Sequence, residues 1–461
     1  MKLTNSLHQQ LEEFIPLHAG KVGMYCCGPT VYDYATIGNF RTYVIADLAL
    51  RTFQFQGLDV TYIMNLTDVG HLTGDNFGDS STGEDRLEKA AVKEQKSAWD
   101  IAKFYTDAYI ADYRALHLTE PKAWVKATDH ISEQISLIQE LEKRGFTYAT
   151  ADGIYFDTEK DSDYGELSTL DQVKAGSRVE MIEGKKNPRD FALWKFSPRD
   201  KQRDMEWISP WGKGFPGWHI ECSAMAMKYL GPQFDVHFGG EDLRSTHHPN
   251  EIAQSESATG VKPFVKYWLH VAFLQVDGGK MGKSLGNAYT IQDIVARGID
   301  PLALKLFYFG AHYRSKLNFT WEALQASANA LEKLRGYSER LKTIQPHKPT
   351  KSAFIESFSQ AMEDDLNSPQ ALAIMWQMLK SDISDEEKAY SLACFDSFLG
   401  LQLFTHTIDE EIPASIIELS NQRQQAKERK DYISADILRK QIEEAGFHVV
   451  DTIHGPEIQR S

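Results

Sequence analysis

At 461 residues, 25% of them charged and 42% hydrophobic, the chain has the composition of an ordinary soluble protein and exceeds what one compact core can hold, so two to four domains are expected. A net charge of −15 excludes indiscriminate attraction to nucleic acid through a global field, although local basic patches could still meet an RNA. Four cysteines do not make a disulfide framework, and the adjacent Cys26 and Cys27 have poor geometry for pairing with each other, so reduced thiols are expected.

The opening stretch, Met1 to Phe14, lacks a basic region followed by an apolar one. No uninterrupted apolar run reaches about 18 residues, so neither a signal peptide nor a membrane span is expected and the expected location is the cytoplasm. Val22, Met24 and Cys26 alternate with Gly23, Tyr25 and Cys27, the period of a strand, which Gly28 and Pro29 stop. From Gly38 onward Phe40, Tyr43, Val44, Leu48 and Leu50 have helical spacing, which Gly57 ends. Val60 to Met64 is a second β-rich run. Strand, turn, helix and strand make a βαβ unit whose helix N-terminus offers unpaired N–H groups to an anion, most simply a nucleotide phosphate.

Gly70 to Asp85 is rich in Gly, Asp, Ser and Thr and reads as a solvated, mobile loop. His71, Asp75, Asp79 and Asp85 lack the spacing of a metal cluster. A helical stretch with Trp99, Ile101, Phe104 and Tyr105 follows, then a helix over Ile131 to Leu141 and short strand-like pieces such as Gly153 to Phe156. The alternating pattern resumes over Trp207 to Ala272, with Phe234 to Gly240 as a strand ending in a glycine turn, where doubly wound sheets place their ligands. After Lys280 the chain turns helical, with candidate linkers at Lys342 to Lys351 and Glu410 to Pro413 and a small helical tail closing on Gly446 to Val450. In that tail Arg423, Lys427, Arg429, Lys430, Arg439 and Lys440 are a candidate basic patch, with a solvated helix face as the plainer account.

His247 and Glu251 are four apart and would share one helix face, while Cys27 and Cys222 come from other segments. Two thiolates, an imidazole and a carboxylate would make a four-coordinate zinc site. Spacing alone cannot join separated ligands, and without further information two buried cysteines and a surface His–Glu pair is the simpler account.

Four long stretches carry a resemblance: Tyr25 to Asn39, Gly217 to Met225, Asp235 to Glu251, and Lys280 to Asn287. Thr36-Ile37-Gly38-Asn39 is similar to the "HIGH" signature of class I aminoacyl-tRNA synthetases, and Lys280-Met281-Gly282-Lys283-Ser284 to their "KMSKS" signature. With the lead-in Tyr25-Cys26-Cys27-Gly28-Pro29-Thr30-Val31-Tyr32-Asp33 and the His247-His248-Pro249-Asn250-Glu251 segment, the chain resembles the cysteinyl-tRNA synthetases to its C-terminus.

The resemblance implies an α/β fold: a Rossmann-type doubly wound parallel sheet split by a connective insertion, followed by an α-helical bundle and a small C-terminal domain. The implied divisions are 1–120 and 206–275 for the two catalytic halves, 121–205 for the insertion, and 276–320 for the signature loop and tRNA-stem region. A helical tRNA-binding bundle over 321–405 and an anticodon-binding extension over 406–461 follow. It implies Cys27, Cys222, His247 and Glu251 as ligands of one zinc ion, and Thr67, Trp218 and His237 as contacts to L-cysteine. It places Gly28, Thr36, Gly38, Asn39, Gly239, Asp242, Lys280 and Lys283 around ATP, with Thr36, Gly38, Asn39, Lys280 and Lys283 taking part in catalysis. ATP would enter with Mg²⁺, the acceptor would be tRNA(Cys), and a monomer is expected.

The sequence departs from the family pattern where Thr36 and Asn39 replace the two signature histidines and Gly282 replaces a serine. These departures motivate one alternative, a catalytically silent paralogue that binds tRNA or cysteine. Another is a ligase that joins cysteine to the amine of an amino sugar, against which stands the anticodon-binding extension. The retained zinc ligands and both lysines favour the active cysteine–tRNA ligase.

Overall fold

The computed structural model describes residues 1–70, 72, 85–168, 184–198, 202–282, 285–344, 349, 352–404, 414–429, 431–445, 447–452 and 455–460. The predicted loop over Gly70 to Asp85 and the two linker stretches therefore fall largely outside the described residues, as do His71, Asp75, Asp79, Lys283 and Ser284. The chain divides into two compact units, Met1–Leu403 and Phe404–Ser461.

The first unit is built on a five-stranded sheet with the spatial order Val265–Val271, Phe234–Gly240, Lys21–Cys26, Asp59–Leu66, Ala123–Lys126. Every neighbouring pair is parallel. Lys21–Cys26 lies at its centre, and from Met24 onward its side chains are buried, which is why its period of two carries small and apolar residues on both faces. In register, Cys26 faces Phe238 on one side and Met64 on the other, so residues 27, 67 and 239 emerge together at the carboxyl edge of the sheet. The edge strand Ala123–Lys126 comes from beyond residue 120.

The crossover helix Ile37–Phe55 is buried on nearly every side, because it packs on the sheet and is itself covered by helices Pro301–Phe309 and Asp385–Leu399. Phe40, Val44 and Leu48 are fully enclosed, each contributing roughly 1.5–3 kcal/mol by leaving water. Its end is set by Gly57, whose φ of +78° is left-handed backbone.

Between the two halves of this sheet lies a five-stranded antiparallel sheet in the order Thr147–Ala149, Gly153–Phe156, Phe191–Phe196, Gly212–Pro216, Trp207–Ser209. Its Phe156, Phe191 and Trp194 share one apolar core with Ile138 and Leu141 of helix Ile131–Lys143, with Ile220 and Ala224 of helix Trp218–Leu230, and with Ala253 of helix His248–Thr259. The insertion thereby anchors the two helices that carry candidate metal ligands. Beyond it, a small sheet in the order Gly279–Lys280, Leu274–Val276, Leu317–Phe319 leads into helices Trp321–Leu341, Ala353–Glu363, Ser368–Lys380 and Asp385–Leu399.

A buried ionic cluster ties these parts together. Asp47 Oδ2 accepts from Arg51 Nε at 2.8 Å and from Lys305 Nζ at 2.9 Å, and its Oδ1 accepts from the Thr119 backbone at 2.9 Å. Lys305 also donates to the carbonyls of His117 and Gly400 at 3.3 Å.

Taken by itself, the second unit pairs helix Ala414–Glu428 with Tyr432–Glu444 and closes on a hairpin of strands Phe447–Thr452 and Gly455–Arg460. Ile416, Ile442 and Val449 form its small core. The expected helical tail thus ends in a hairpin, since the β-branched run at Val449 finds a partner strand after residue 454. Of the candidate basic run, Arg423 is buried and Arg439 pairs with Glu443 at 2.9 Å, while Lys430 lies outside the described residues. No described helix is long and apolar enough to cross a membrane.

Candidate active site and metal centre

Cys27 follows the central strand directly, and its N–H donates to the Phe238 carbonyl at 3.0 Å, fixing its place at the sheet edge. Next to it the Gly28 N–H donates to Asn65 Oδ1 at 2.8 Å, and a Cβ on Gly28 would stand 1.8 Å from the Asn65 carbonyl oxygen. Only glycine lets the chain pass there. Cys222 lies within helix Trp218–Leu230 and its Sγ is 4.0 Å from that of Cys27. His247 stands at the junction between the short helix Leu243–Thr246 and helix His248–Thr259, whose first turn contains Pro249 and Glu251. His247 Nε2 and Glu251 Oε1 are 3.0 Å apart, and Glu251 Oε1 is 3.8 Å from Cys27 Sγ. One ligand atom from each of Cys27, Cys222, His247 and Glu251 lies within 4.8 Å of the others, and all four residues are buried. Tetrahedral zinc with Zn–S bonds of about 2.3 Å holds two sulfurs roughly 3.8 Å apart, so the donor set and its spacing fit one such ion.

The electrostatics fit it as well. Burial alone would raise the Glu251 carboxyl, but His237 and His247 hold it down at about 2. Burial alone would lower His247, but Glu251 and Cys222 outweigh it and lift the imidazole to about 10. The hydrogen bond from Cys27 holds Cys222 below the usual thiol range against burial, whereas burial pushes Cys27 well above it. Metal ligation calls for both cysteines as thiolates and for a neutral imidazole. With His247 and Cys27 both shifted toward holding their protons, loading a cation would release protons and affinity would climb with pH. Calorimetry of zinc binding at pH 7 in two buffers of different ionisation enthalpy is expected to report net release of protons. A proton count of zero would contradict this assignment.

Sequence reasoning missed the neighbours that orient these ligands. His219 Nδ1 shares a hydrogen bond with His247 Nδ1 at 2.8 Å, which leaves His247 Nε2 directed at Glu251. His248 Nε2 lies 3.6 Å from Cys27 Sγ, and its Nδ1 meets His270 Nε2 at 2.8 Å. Burial keeps both neutral, pushing His248 far down and His270 to about 3. Cys27, His237, His248 and Glu251 form a second possible ligand group around the same carboxylate and thiol.

Of the residues expected against the amino acid, Trp218 packs on His247 in a tilted arrangement, with ring centres 4.3 Å and ring planes 34° apart. His237 Nε2 meets the other carboxylate oxygen, Glu251 Oε2, at 3.1 Å, and its ring stacks on Trp268. Thr67 is buried and its Oγ1 accepts from Asn65 Nδ2 at 3.0 Å, so Asn65 braces Gly28 and Thr67 together.

The two signatures meet beside this pocket. Thr36 and Asn39 form a capping box: Asn39 Oδ1 accepts from the Thr36 N–H at 2.9 Å and from its hydroxyl at 2.8 Å, and the Asn39 N–H donates to Thr36 Oγ1 at 3.4 Å. A Cβ on Gly38 would stand 3.2 Å from Met281 Sδ, so the missing side chain admits the residue next to Lys280. The Ile37 N–H donates to the Tyr289 carbonyl at 2.9 Å. Lys280 is exposed on the strand Gly279–Lys280, and Asn287 braces the turn beyond it, donating to the Lys280 carbonyl at 3.1 Å and accepting from the Gly282 N–H at 2.8 Å. Gly239 and Asp242 lie at and just past the end of strand Phe234–Gly240, where a Cβ on Gly239 would stand 2.4 Å from His248 Cε1. Lys283 lies outside the described residues.

The chain is similar to known proteins along its whole length. The family described as the class I (C) tRNA synthetase catalytic domain matches residues 13–329, and the DALR domain matches residues 357–381. The Burkholderia lata protein named cysteine–tRNA ligase 1 is 46% identical over all of this chain and 96% of its own length. A cysteine–tRNA ligase of Treponema denticola is 42% identical over 98% of each chain. Among solved structures, methionyl-tRNA synthetase of Mycobacterium tuberculosis in complex with methionyl-adenylate matches with a TM-score of 0.57 at 14% identity, covering 90% of this chain and 96% of its own, a likeness of fold.

Proposed function

Since the chain belongs to the cysteinyl-tRNA synthetases of class I, we propose that it activates L-cysteine with ATP and passes the cysteine to the terminal ribose of tRNA(Cys). It is an ATP-dependent aminoacyl-tRNA ligase. In the first step the cysteine carboxylate attacks the α-phosphate in line and pyrophosphate leaves; in the second a ribose hydroxyl of the tRNA attacks the cysteinyl adenylate. No covalent enzyme intermediate is required, and the chain contributes positioning and electrostatics.

The N-terminus of helix Ile37–Phe55 directs its dipole at the phosphates, with Gly28, Gly38 and Gly239 allowing close backbone approach. Since Asn39 Oδ1 is held by Thr36, the amide nitrogen is the donor this turn offers an oxyanion. Lys280 and Lys283 neutralise the charge growing on the pyrophosphate, and Asp242 accepts a ribose hydroxyl. ATP arrives with Mg²⁺. Thr67, Trp218 and His237 line the place of the amino acid, and Cys27, Cys222, His247 and Glu251 hold zinc. When bound, the ion supplies a soft acid that prefers the thiolate of cysteine to the hydroxyl of serine, a distinction that packing alone limits to about 10²-fold. The helices after residue 320 and the separate C-terminal unit are the parts assigned to tRNA.

The observation that carries this reading is the buried Cys27–Cys222–His247–Glu251 cluster, placed at the carboxyl edge of the parallel sheet where Gly28, Thr67 and Gly239 also emerge. The test is exchange of labelled pyrophosphate into ATP without tRNA, with cysteine and with serine. Exchange with cysteine alone is expected. Folded, zinc-loaded protein that stays silent both without and with tRNA(Cys) would refute the reading.

A further inference from the structure

Arg41 sits one turn inside the signature helix and is 1% exposed. Its four terminal N–H groups meet four carbonyls: Nη1 donates to Ala272 at 2.7 Å and Phe273 at 3.1 Å, and Nη2 to His312 at 3.3 Å and Ser315 at 2.7 Å. Ala272 and Phe273 immediately precede strand Leu274–Val276, which pairs in antiparallel register with Gly279–Lys280. His312 and Ser315 lead into strand Leu317–Phe319, which pairs with Leu274–Val276 on its other side. One guanidinium thus clips both root segments of the Lys280 hairpin to the helix that starts at the Thr36–Asn39 turn. Burial moves it only to about 10, so it remains charged at neutral pH. No other side chain can replace this fork, because lysine has three donors on one atom and glutamine has two.

We propose that Arg41 is a positioning residue for adenylate formation, holding the hairpin of Lys280 in register with the phosphate-binding turn at Thr36 to Asn39. This rests on the reading of the site given above. Misplacing a charge-stabilising group by about 1 Å costs roughly 10²-fold in rate. A role confined to stability would instead lower the melting temperature and the fraction of active sites, leaving the rate per active site unchanged.

The experiment compares wild type, Arg41→Lys and Arg41→Met in pyrophosphate exchange, normalised by active-site titration, with zinc content measured alongside. Arg41→Lys keeps the positive charge and remains informative if the methionine variant fails to fold. For the lysine variant the expected result is a fall of about 10²-fold in kcat per active site, with the KM for cysteine within about twofold of wild type and zinc retained. Cleavage by a lysine-specific protease after Lys280 should quicken relative to cleavage after Lys380 in the helical bundle. An unchanged kcat per active site, or equal quickening at both lysines, would overturn the proposal. Absence of exchange in the wild type would instead count against the functional reading itself.

Discussion

Cys222→Ala is expected to release the metal and to lose cysteine activation together. The alanine leaves three ligands where the geometry provides four, with Glu251 and the Cys27 thiol still buried beside the gap. Disturbing mere supports of a metal ligand typically costs 10–100-fold in affinity, so removing a ligand should cost more than about 10²-fold. Because the pocket would then discriminate sulfur from oxygen only by shape, kcat/KM for cysteine should fall by about 10³-fold, or roughly 4 kcal/mol in transition-state stabilisation. Metal content after dialysis and the exchange rate with cysteine and serine measure both consequences. Cys26→Ala is the matched control, since Cys26 is equally buried but stands outside the ligand group, its Sγ donating to the Cys27 carbonyl at 3.7 Å. A Cys222→Ala protein that keeps a full zinc complement and full activity would end the zinc assignment.

The other large effect is on stability. Asp47→Asn is expected to destabilise the first unit by about 3–5 kcal/mol, the usual result of leaving one buried charge without its partner. Lys305 is fully enclosed, and in that variant its ammonium would face neutral acceptors at this point, the carbonyls of His117 and Gly400 and an amide oxygen in place of the carboxylate. The double substitution Asp47→Leu with Lys305→Met should recover part of the loss, since an apolar pair can replace a buried ion pair at little cost. Urea unfolding of the three proteins decides; an equal loss in single and double variants would contradict the coupling.

The pH dependence of this cluster has a definite sign. Against burial, Lys305 and Arg51 hold the Asp47 carboxyl well below the usual range. Burial meanwhile moves Lys305 down to about 8, the opposite of what its partner alone would do. The aspartate governs the acid side, because Lys305 stays protonated there. Its contribution is complete above the ordinary carboxylate range, near 4, and is lost as pH falls toward its depressed folded value.

The central strand and the helix after it were legible because both obey a simple hydrophobic period, and Gly57 marks the end of the second. The metal quartet was not legible from spacing. Its members lie on three separate elements, and the resemblance to a family brought them together before the geometry did. His219, His248 and His270 received no role from the sequence for a physical reason: a histidine enclosed among other histidines looks, in sequence, like any polar residue. Arg41 left no trace either. Its partners are backbone carbonyls more than 230 residues away, and a carbonyl is the same at every position. The C-terminal hairpin was half visible, its first strand in Val449 and Val450, its second hidden in Gly455–Arg460 with a proline and two charges.

Thr36 and Asn39 were first noticed for what they lack. In the structure they are the reciprocal cap of the helix on which the sheet, the Lys280 hairpin and the buried aspartate all depend. A cap of this type is worth about 1 kcal/mol. An imidazole at either position could approach a phosphate only by giving up that bond pair. The turn has therefore exchanged two titratable rings for a self-contained clasp, and it reaches the substrate through backbone and amide dipoles whose strength does not vary with proton concentration.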